Sequence, residues 1–220
     1  MRSLAQPEVL RNAVIASAVS AVLCYPRLTL WSNRIYPLWY LEAVLLLGGT
    51  VLWSFVFAWH TKYSGRPVFA WKIEPVPFGI ASVAGVVIAA LLKLFGDPQL
   101  RARNPEEYPQ DVEQWVAMTL FSLAFTQVFL VFAPFAWLIR LVQQRAVAMV
   151  MTAVFGMVVL WIKNDASKHQ FPPSLMIGVL GVRLVVGLFS VYLFLRGGVP
   201  LVWWWELLVQ GRNLIGLVAS

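Results

Sequence analysis

The sequence predicts an all-α fold, a polytopic bundle of six or seven transmembrane helices. Of the 220 residues, 60% are hydrophobic and only 12% are charged, and the mean hydropathy is +0.74. Soluble domains carry about 25% charged residues, and disordered chains combine low hydrophobicity with high net charge. Both classes are therefore excluded. Apolar stretches of about 20 residues, separated by short polar loops, are long enough to cross a bilayer as helices.

Six stretches have the composition of spanning helices, and the first stretch of the chain is ambiguous. That first stretch, 12–31, contains Pro26, which we expect to kink or end the helix, so that the stretch either spans or lies at the interface. The six clear stretches follow at 37–60, 78–95, 112–141, 146–162, 174–195 and 200–219.

The net charge of +7 does not indicate nucleic-acid binding, because the basic residues lie one or two per loop. Such scattered charges are typical of membrane topology and of contact with anionic lipid. Seven spans place eight basic residues on each face, so the basic excess that orients a membrane protein is absent. The single cysteine, Cys24, excludes an intramolecular disulfide and a cysteine-built metal site. The two histidines, His60 and His169, leave few ligands for a metal ion. We expect no metal and no cofactor.

Of the polar residues inside predicted spans, where polar groups are costly, five are candidate site residues. They are Gln127, Arg183, Glu206, Gln210 and Asn213. The last three are spaced i, i+4, i+7, which places them on one face of the seventh helix. Two interpretations stay open. Either the residues line a polar cavity between the sixth and seventh helices, with Arg183 paired to Glu206, or they are polar contacts that only hold the bundle together.

Two further basic residues lie near the ends of predicted helices. Lys93 is about one turn from its helix end, and Arg212 is close to the C-terminal end of the last helix. Long basic side chains in such positions extend to the interface while their stems stay in the apolar layer. We therefore expect both to snorkel.

Small residues recur every four positions on two predicted helices, a spacing that lets helix backbones approach closely. One row is Ala13, Ser17 and Ala21, and the other is Ala81, Gly85 and Ala89. Such rows pack either inside a chain or against another subunit. We expect the second row, which lies outside the C-terminal half, to bind a partner subunit.

Familiar catalytic motifs are absent from the sequence. G-x-S-x-G, H-E-x-x-H, G-x-x-x-x-G-K-[ST] and G-x-G-x-x-G do not occur. Neither histidine lies in a predicted span beside a serine that it could activate. No catalytic residue is therefore assigned.

The last four stretches nevertheless carry short patterns in a fixed order. Residues 125–133 read F-T-Q-V-F-L-V-F-A, residues 155–159 read F-G-M-V-V, and a glycine-rich helix ends in the Leu-Arg-Gly-Gly of residues 195–198. The final helix begins with a small residue and tryptophans, and residues 202–210 read V-W-W-W-E-L-L-V-Q. In this order, residues from about 112 to 220 resemble the core of the CPBP family, the CAAX-protease and bacteriocin-processing intramembrane proteases, also called the Abi family.

The resemblance implies a fold more than an activity. The family's Glu-Glu-x-x-x-Arg, Phe-x-x-x-His and final His-x-x-x-Asn or His-x-x-x-Asp motifs supply the glutamate and histidine that activate water. Here Gln127, next to Thr126 or Val128, stands for Glu-Glu, Val131 or Phe132 for the arginine, Val159 for the histidine, and Glu206 with Gln210, or Val209 with Asn213, for the last pair. The resemblance thus implies an inactive, degenerate member: a four-helix core at 112–220, flanked by the helices and polar loop of 1–111.

Three functions are compatible with these observations. The leading one is a non-catalytic subunit or scaffold that binds other integral membrane proteins, with lipids as further partners and no nucleic acid. The second is an intramembrane hydrolase with an atypical site of Glu206, Gln210, Gln127 and Arg183. The third is a carrier or lipid-binding protein that uses Arg183 and Glu206 in a polar cavity. We expect the protein to reside in the bacterial plasma (inner) membrane.

Overall fold

The computed structural model describes residues 4, 6–31, 34–166 and 170–218, so that His169 lies outside the described residues. Within these ranges the chain forms six helical stretches that are long and apolar enough to cross a membrane. They are α1 (Pro7–Leu30), α2 (Leu38–Ser64), α3 (Pro75–Arg101), α4 (Val112–Val142), α5 (Arg145–Asp165) and a last stretch, Pro173–Val218. The predicted all-α bundle of spanning helices is confirmed.

The last stretch consists of two helices that meet at Gly198, here called α6 (173–197) and α7 (199–218). Gly198 has φ 64° and ψ −160°, a region of backbone space that only glycine adopts readily. The turn is tied to the loop between α2 and α3, because the backbone N–H of Val199 donates to the carbonyl oxygen of Val68 at 2.8 Å. Pro200 follows within the first turn of α7, where a missing N–H costs least.

The first helix continues past Pro26, where the sequence predicted a kink or an end, and reaches Leu30. Proline is tolerated in membrane helices because neighbouring groups satisfy the backbone atoms that it frees. The row Ala13, Ser17 and Ala21 is buried. The Ser17 hydroxyl donates to the Leu46 carbonyl of α2 at 2.7 Å, and the α2 backbone comes close at Gly49. The first stretch therefore packs lengthwise against α2 instead of lying at the interface.

One aromatic core joins the two halves of the chain. The ring of Phe132 on α4 lies 4.6 Å from that of Phe194 on α6, and Trp53 of α2 packs on Phe132. His60 of α2 is fully buried in this core, with its ring 4.0 Å from Phe194. The predicted division at residue 111 falls in the loop between α3 and α4, and the packing runs across it.

The row Ala81, Gly85 and Ala89 is buried inside the chain. A Cβ built on Gly85 would lie 3.0 Å from Cβ of Leu208, so α7 already occupies this face of α3. The prediction that the row binds a partner subunit is wrong. The spacing identified a surface of close helix packing, but a spacing pattern does not say which helix packs there.

Replacing Gly85 with leucine should therefore destabilise the chain itself. The added side chain collides with Leu208 and the buried ring of Trp205, and overpacking of this kind costs about 1–3 kcal/mol. Gly79→Leu on the same helix is the matched control, because no neighbouring atom lies within 4 Å of a Cβ there. Thermal unfolding of the purified protein in mild detergent measures the difference. Equal melting temperatures for the two variants would contradict the packing of α3 on α7.

Candidate functional site

A buried carboxylate, Glu206 of α7, is the centre of a polar cluster between α4 and α7. Its Oε1 accepts hydrogen bonds from Ser122 Oγ and from Gln210 Nε2, both at 2.8 Å. Its Oε2 accepts from Gln127 Nε2 at 2.9 Å. Glu206 is only 7% exposed and Gln127 only 4%. Three neutral donors therefore hold one carboxylate at bilayer depth, which lowers the cost of burying its charge.

The local shape of α4 brings Ser122 and Gln127 onto the same side of the helix. Two π-helical turns, Ser122–Thr126 and Val128–Phe132, flank Gln127. Hydrogen bonds in a π turn join residues five apart, whereas in an α-helix residues five apart point about 140° away from each other. The extra residue in the turn thus aims both side chains at Glu206. Single-turn π segments occur frequently at functional sites.

The cluster continues along α7 toward the membrane face that carries the loop of residues 102–111. Asn213 Nδ2 donates to Gln210 Oε1 at 3.4 Å, and Asn213 is 6% exposed. Three buried atoms of the cluster have no hydrogen-bond partner among the described residues: Asn213 Oδ1, Gln127 Oε1 and Thr119 Oγ1. An unsatisfied buried polar atom costs about 1–3 kcal/mol.

A cavity of about 360 Å³ leads into the cluster from that face. Its mouth includes Glu107 and Lys163, which are exposed and form an ion pair at 2.7 Å. Its walls come from α1, α4 and α7 and include Arg27, Trp115, Thr119, Ser122, Gln210 and Asn213. The cavity thus ends at Ser122 and Gln210, the two residues that hydrogen-bond Oε1 of Glu206.

A larger cavity, of about 920 Å³, lies between α3 and α6, but it does not have the properties of a site for a polar ligand. Its walls are mostly apolar side chains such as Leu91, Phe95 and Val179. None of the unpartnered buried polar atoms found in the described residues belongs to it. An open apolar groove of this kind suits lipid tails, so the smaller polar cavity is the candidate site.

Arg183 lies outside this cluster of contacts. It is half-buried, and its guanidinium group lies on Gly156 of α5, where a Cβ would come within 2.9 Å of Arg183 Nε. In the described part of the chain no acidic oxygen lies within 4 Å of it, and Glu206 acts on it only through space. The predicted direct pair of Arg183 with Glu206 is therefore wrong. Neutral donors already occupy both oxygens of Glu206, and the absent side chain of Gly156 gives the guanidinium group room against α5.

A second polar cluster, which the sequence did not suggest, joins the end of α3 to α7. Arg212 Nε donates to Asp97 Oδ2 at 3.1 Å; Asp97 is buried and Arg212 is half-buried. The Tyr108 hydroxyl donates to Asp97 Oδ1 at 3.1 Å, and Lys93 Nζ donates to the Arg212 carbonyl at 3.1 Å. The expectation that Lys93 and Arg212 snorkel to the interface stays a prediction, and the structure adds that both have partners inside the protein.

The ionisation of Tyr108 follows from this environment. Burial of the phenol, and then the charge and the hydrogen bond of Asp97, raise its pKa above the usual value. The neutral hydroxyl therefore persists and keeps donating to Asp97. This cluster binds the loop of residues 102–111 to the bundle and so fixes the rim of the polar cavity.

Comparison of the chain with protein-family models, with curated proteins and with solved structures finds no match. The site must be interpreted from its own geometry. That geometry brings together Gln127, Glu206, Gln210 and Asn213 of the predicted polar residues, and leaves Arg183 apart. Sequence reasoning missed Ser122 and Thr119, since hydroxyl residues are common in membrane helices and only the π turn brings Ser122 onto the side of Gln127.

Proposed function

We propose that this integral membrane protein binds a small polar solute or a lipid headgroup, without catalysis, in the cavity between α4 and α7. The ligand enters from the face that carries residues 102–111. The observation that carries the proposal is the set of unpartnered buried atoms on the cavity walls, Asn213 Oδ1 and Thr119 Oγ1, above a buried carboxylate. Binding sites for small molecules combine a concave shape with a few converging polar groups. Of the three functions compatible with the sequence, this is the carrier or lipid-binding one.

The resemblance to the CPBP family fits this proposal if the protein has lost the catalytic residues of the family and has kept a cavity at the same place. The residues at the family's first and last motif positions, Gln127 with Glu206 and Gln210, are in direct hydrogen-bond contact. Among the described residues, no histidine lies at this site, since His60 is packed on Phe194 in the aromatic core. We therefore propose that the protein is an inactive relative of the CPBP proteases and that it resides in the bacterial plasma membrane. Peptide hydrolysis by the purified protein that Glu206→Gln abolished would favour the hydrolase instead.

A second function, as a subunit that binds other membrane proteins, is favoured by one observation on α3. Only 11% of the residues in its apolar 18-residue stretch are buried inside the protein, the smallest share among the spans of the described residues. Large apolar side chains such as Val83 and Leu94 point outward from it. Lipid covers such a face as well as protein does, so this candidate ranks below the cavity. Co-purification from native membranes in mild detergent tests it.

Cysteine labelling tests whether the cavity admits water-soluble molecules. The only native cysteine, Cys24, is buried and is replaced by alanine to give a silent background. In that background we expect Ser122→Cys to react with a small charged methanethiosulfonate reagent, because Ser122 lines the cavity. Val83→Cys is the control: it faces outward from α3, 67% exposed and farther from the helix end than Lys93, where we expect lipid to exclude the reagent.

The comparison is made in proteoliposomes, with the folded fraction checked by gel filtration. Thr119→Cys on the cavity wall provides a second position if Ser122→Cys proves unstable. Reaction at the cavity positions but not at Val83→Cys supports the proposal. Folded protein that reacts at neither cavity position would overturn it.

A further inference from the structure

The cavity carries opposite charges at its two ends. The carboxylate of Glu206 lies behind its inner end, held by Ser122 and Gln210. Near the mouth, Arg27 in the last turn of α1 is half-buried, and its guanidinium group has no side-chain partner in the described ranges of the chain. The other basic residue there, Lys163, is neutralised by Glu107 at 2.7 Å. The charges that lack a contacting counterion are thus negative behind the inner end, where Arg183 acts on Glu206 only through space, and positive at the rim.

The wall between these ends offers acceptors for a donor-rich group. Asn213 and Thr119 line the cavity, and Asn213 Oδ1 and Thr119 Oγ1 are buried oxygens that lack a partner among the described groups. An ammonium group carries three N–H donors and a positive charge, which matches neutral acceptors next to a carboxylate.

A bare metal ion fits this arrangement poorly. The described residues contain no group of three His, Cys, Asp or Glu side chains that could hold one. Glu206 and Asn213 lie seven residues apart on α7, which separates them by about 10 Å along the helix. Acceptors strung along a wall suit an extended molecule, whereas a metal ion needs ligands gathered around one point.

We propose that the cavity binds a small zwitterion, with its ammonium group toward Glu206 and its phosphate or carboxylate toward Arg27. The inference rests on the proposed binding function and names the chemistry of the ligand. A cavity of about 360 Å³ has room for about 12 water-sized groups, which exceeds the needs of a molecule such as phosphoethanolamine. The same chemistry occurs in a free metabolite and in the headgroup of phosphatidylethanolamine, and both sources are tested.

The test is the thermal stability of the full-length protein with phosphoethanolamine, with ethanolamine alone and with inorganic phosphate alone. We expect phosphoethanolamine in large excess over its Kd to raise the melting temperature by about 5 °C, and each half-molecule to raise it much less. The lipid source is tested in nanodiscs of phosphatidylethanolamine against phosphatidylglycerol. Stabilisation by the lipid alone identifies a headgroup, and stabilisation by the free compound identifies a soluble solute.

Two variants test the two ends of the site separately. Glu206→Gln should remove the dependence on the ammonium group, and Arg27→Gln should remove the dependence on phosphate. Glu113→Gln, an exposed acid early in α4, is the control and should behave as the wild type. If Glu206→Gln does not fold, Arg27→Gln at the mouth still tests whether the anionic group of the ligand binds Arg27.

Each outcome bears on one proposal. No stabilisation by either zwitterion source, or equal stabilisation of the wild type and the Arg27→Gln variant, would overturn the zwitterion. If Ser122→Cys is nevertheless labelled, the binding cavity stands and only this ligand class fails. If neither cavity cysteine is labelled, the proposed function fails as well.

Discussion

Replacing Gly198 with alanine is expected to destabilise the protein by about 3 kcal/mol or more. The backbone of Gly198 has φ 64° and ψ −160°, which costs a residue with a side chain about 1–3 kcal/mol in strain alone. In addition, a Cβ there would collide with the carbonyl oxygen of Val68. That oxygen belongs to the backbone and accepts the hydrogen bond from Val199, so it cannot move aside without breaking the turn.

The matched control is the same substitution at Gly211, within α7. No neighbouring atom lies within 4 Å of a Cβ at Gly211, and alanine stabilises a helix interior by about 0.5–1 kcal/mol relative to glycine. The free energy of unfolding in mixed micelles should therefore fall for Gly198→Ala and stay or rise for Gly211→Ala. Full stability of Gly198→Ala would mean that α6 and α7 are one continuous helix, and the path of the last span would need revision.

Replacing Asp97 with alanine should have the second large effect on stability. The side chains of Arg212 and Asp97 are only 14% and 9% exposed, so removing the carboxylate leaves a buried guanidinium group without its counterion. Breaking a buried ion pair from one side costs about 3–5 kcal/mol. The Tyr108 hydroxyl loses its acceptor in the same variant, which loosens the loop of residues 102–111 at the cavity rim.

Two comparisons identify the cause of that loss. Glu107→Ala removes one partner of the exposed ion pair with Lys163 and should cost no more than about 1 kcal/mol. The double variant Asp97→Ala with Arg212→Met should be more stable than Asp97→Ala alone, because no uncompensated charge remains. Denaturant unfolding of the wild type, of these three variants and of Arg212→Met alone measures these terms. A double variant as unstable as the sum of the single losses would show that the two residues do not act as a pair.

The sequence was informative where a property depends on local composition. Hydropathy located the spans, and the i, i+4, i+7 spacing correctly placed Glu206, Gln210 and Asn213 on one side of α7. The Leu-Arg-Gly-Gly segment also marked the turn after α6, because Gly198 adopts a conformation that other residues avoid.

The sequence failed where a property depends on which helices meet. Asp97 and Arg212 are 115 residues apart, and nothing local distinguishes such a pair from two snorkelling charges. The Ala81, Gly85 and Ala89 row identified close packing but not its partner. Gly156 left space for Arg183 on α5, so the arginine does not reach Glu206. The π turns of α4, which aim Ser122 and Gln127 at Glu206, arise from the packed bundle and not from a recognisable motif.

A density map of the full-length protein in lipid nanodiscs, at a resolution that shows ordered water, tests the central claim most directly. The claim is that a polar cavity runs from the Glu107–Lys163 pair to the residues that hold Glu206. We predict discrete density for water or ligand about 2.7–3.2 Å from Asn213 Oδ1 and Thr119 Oγ1. A lipid acyl chain in the cavity, or α4 and α7 packed together with no space between them, would contradict the account.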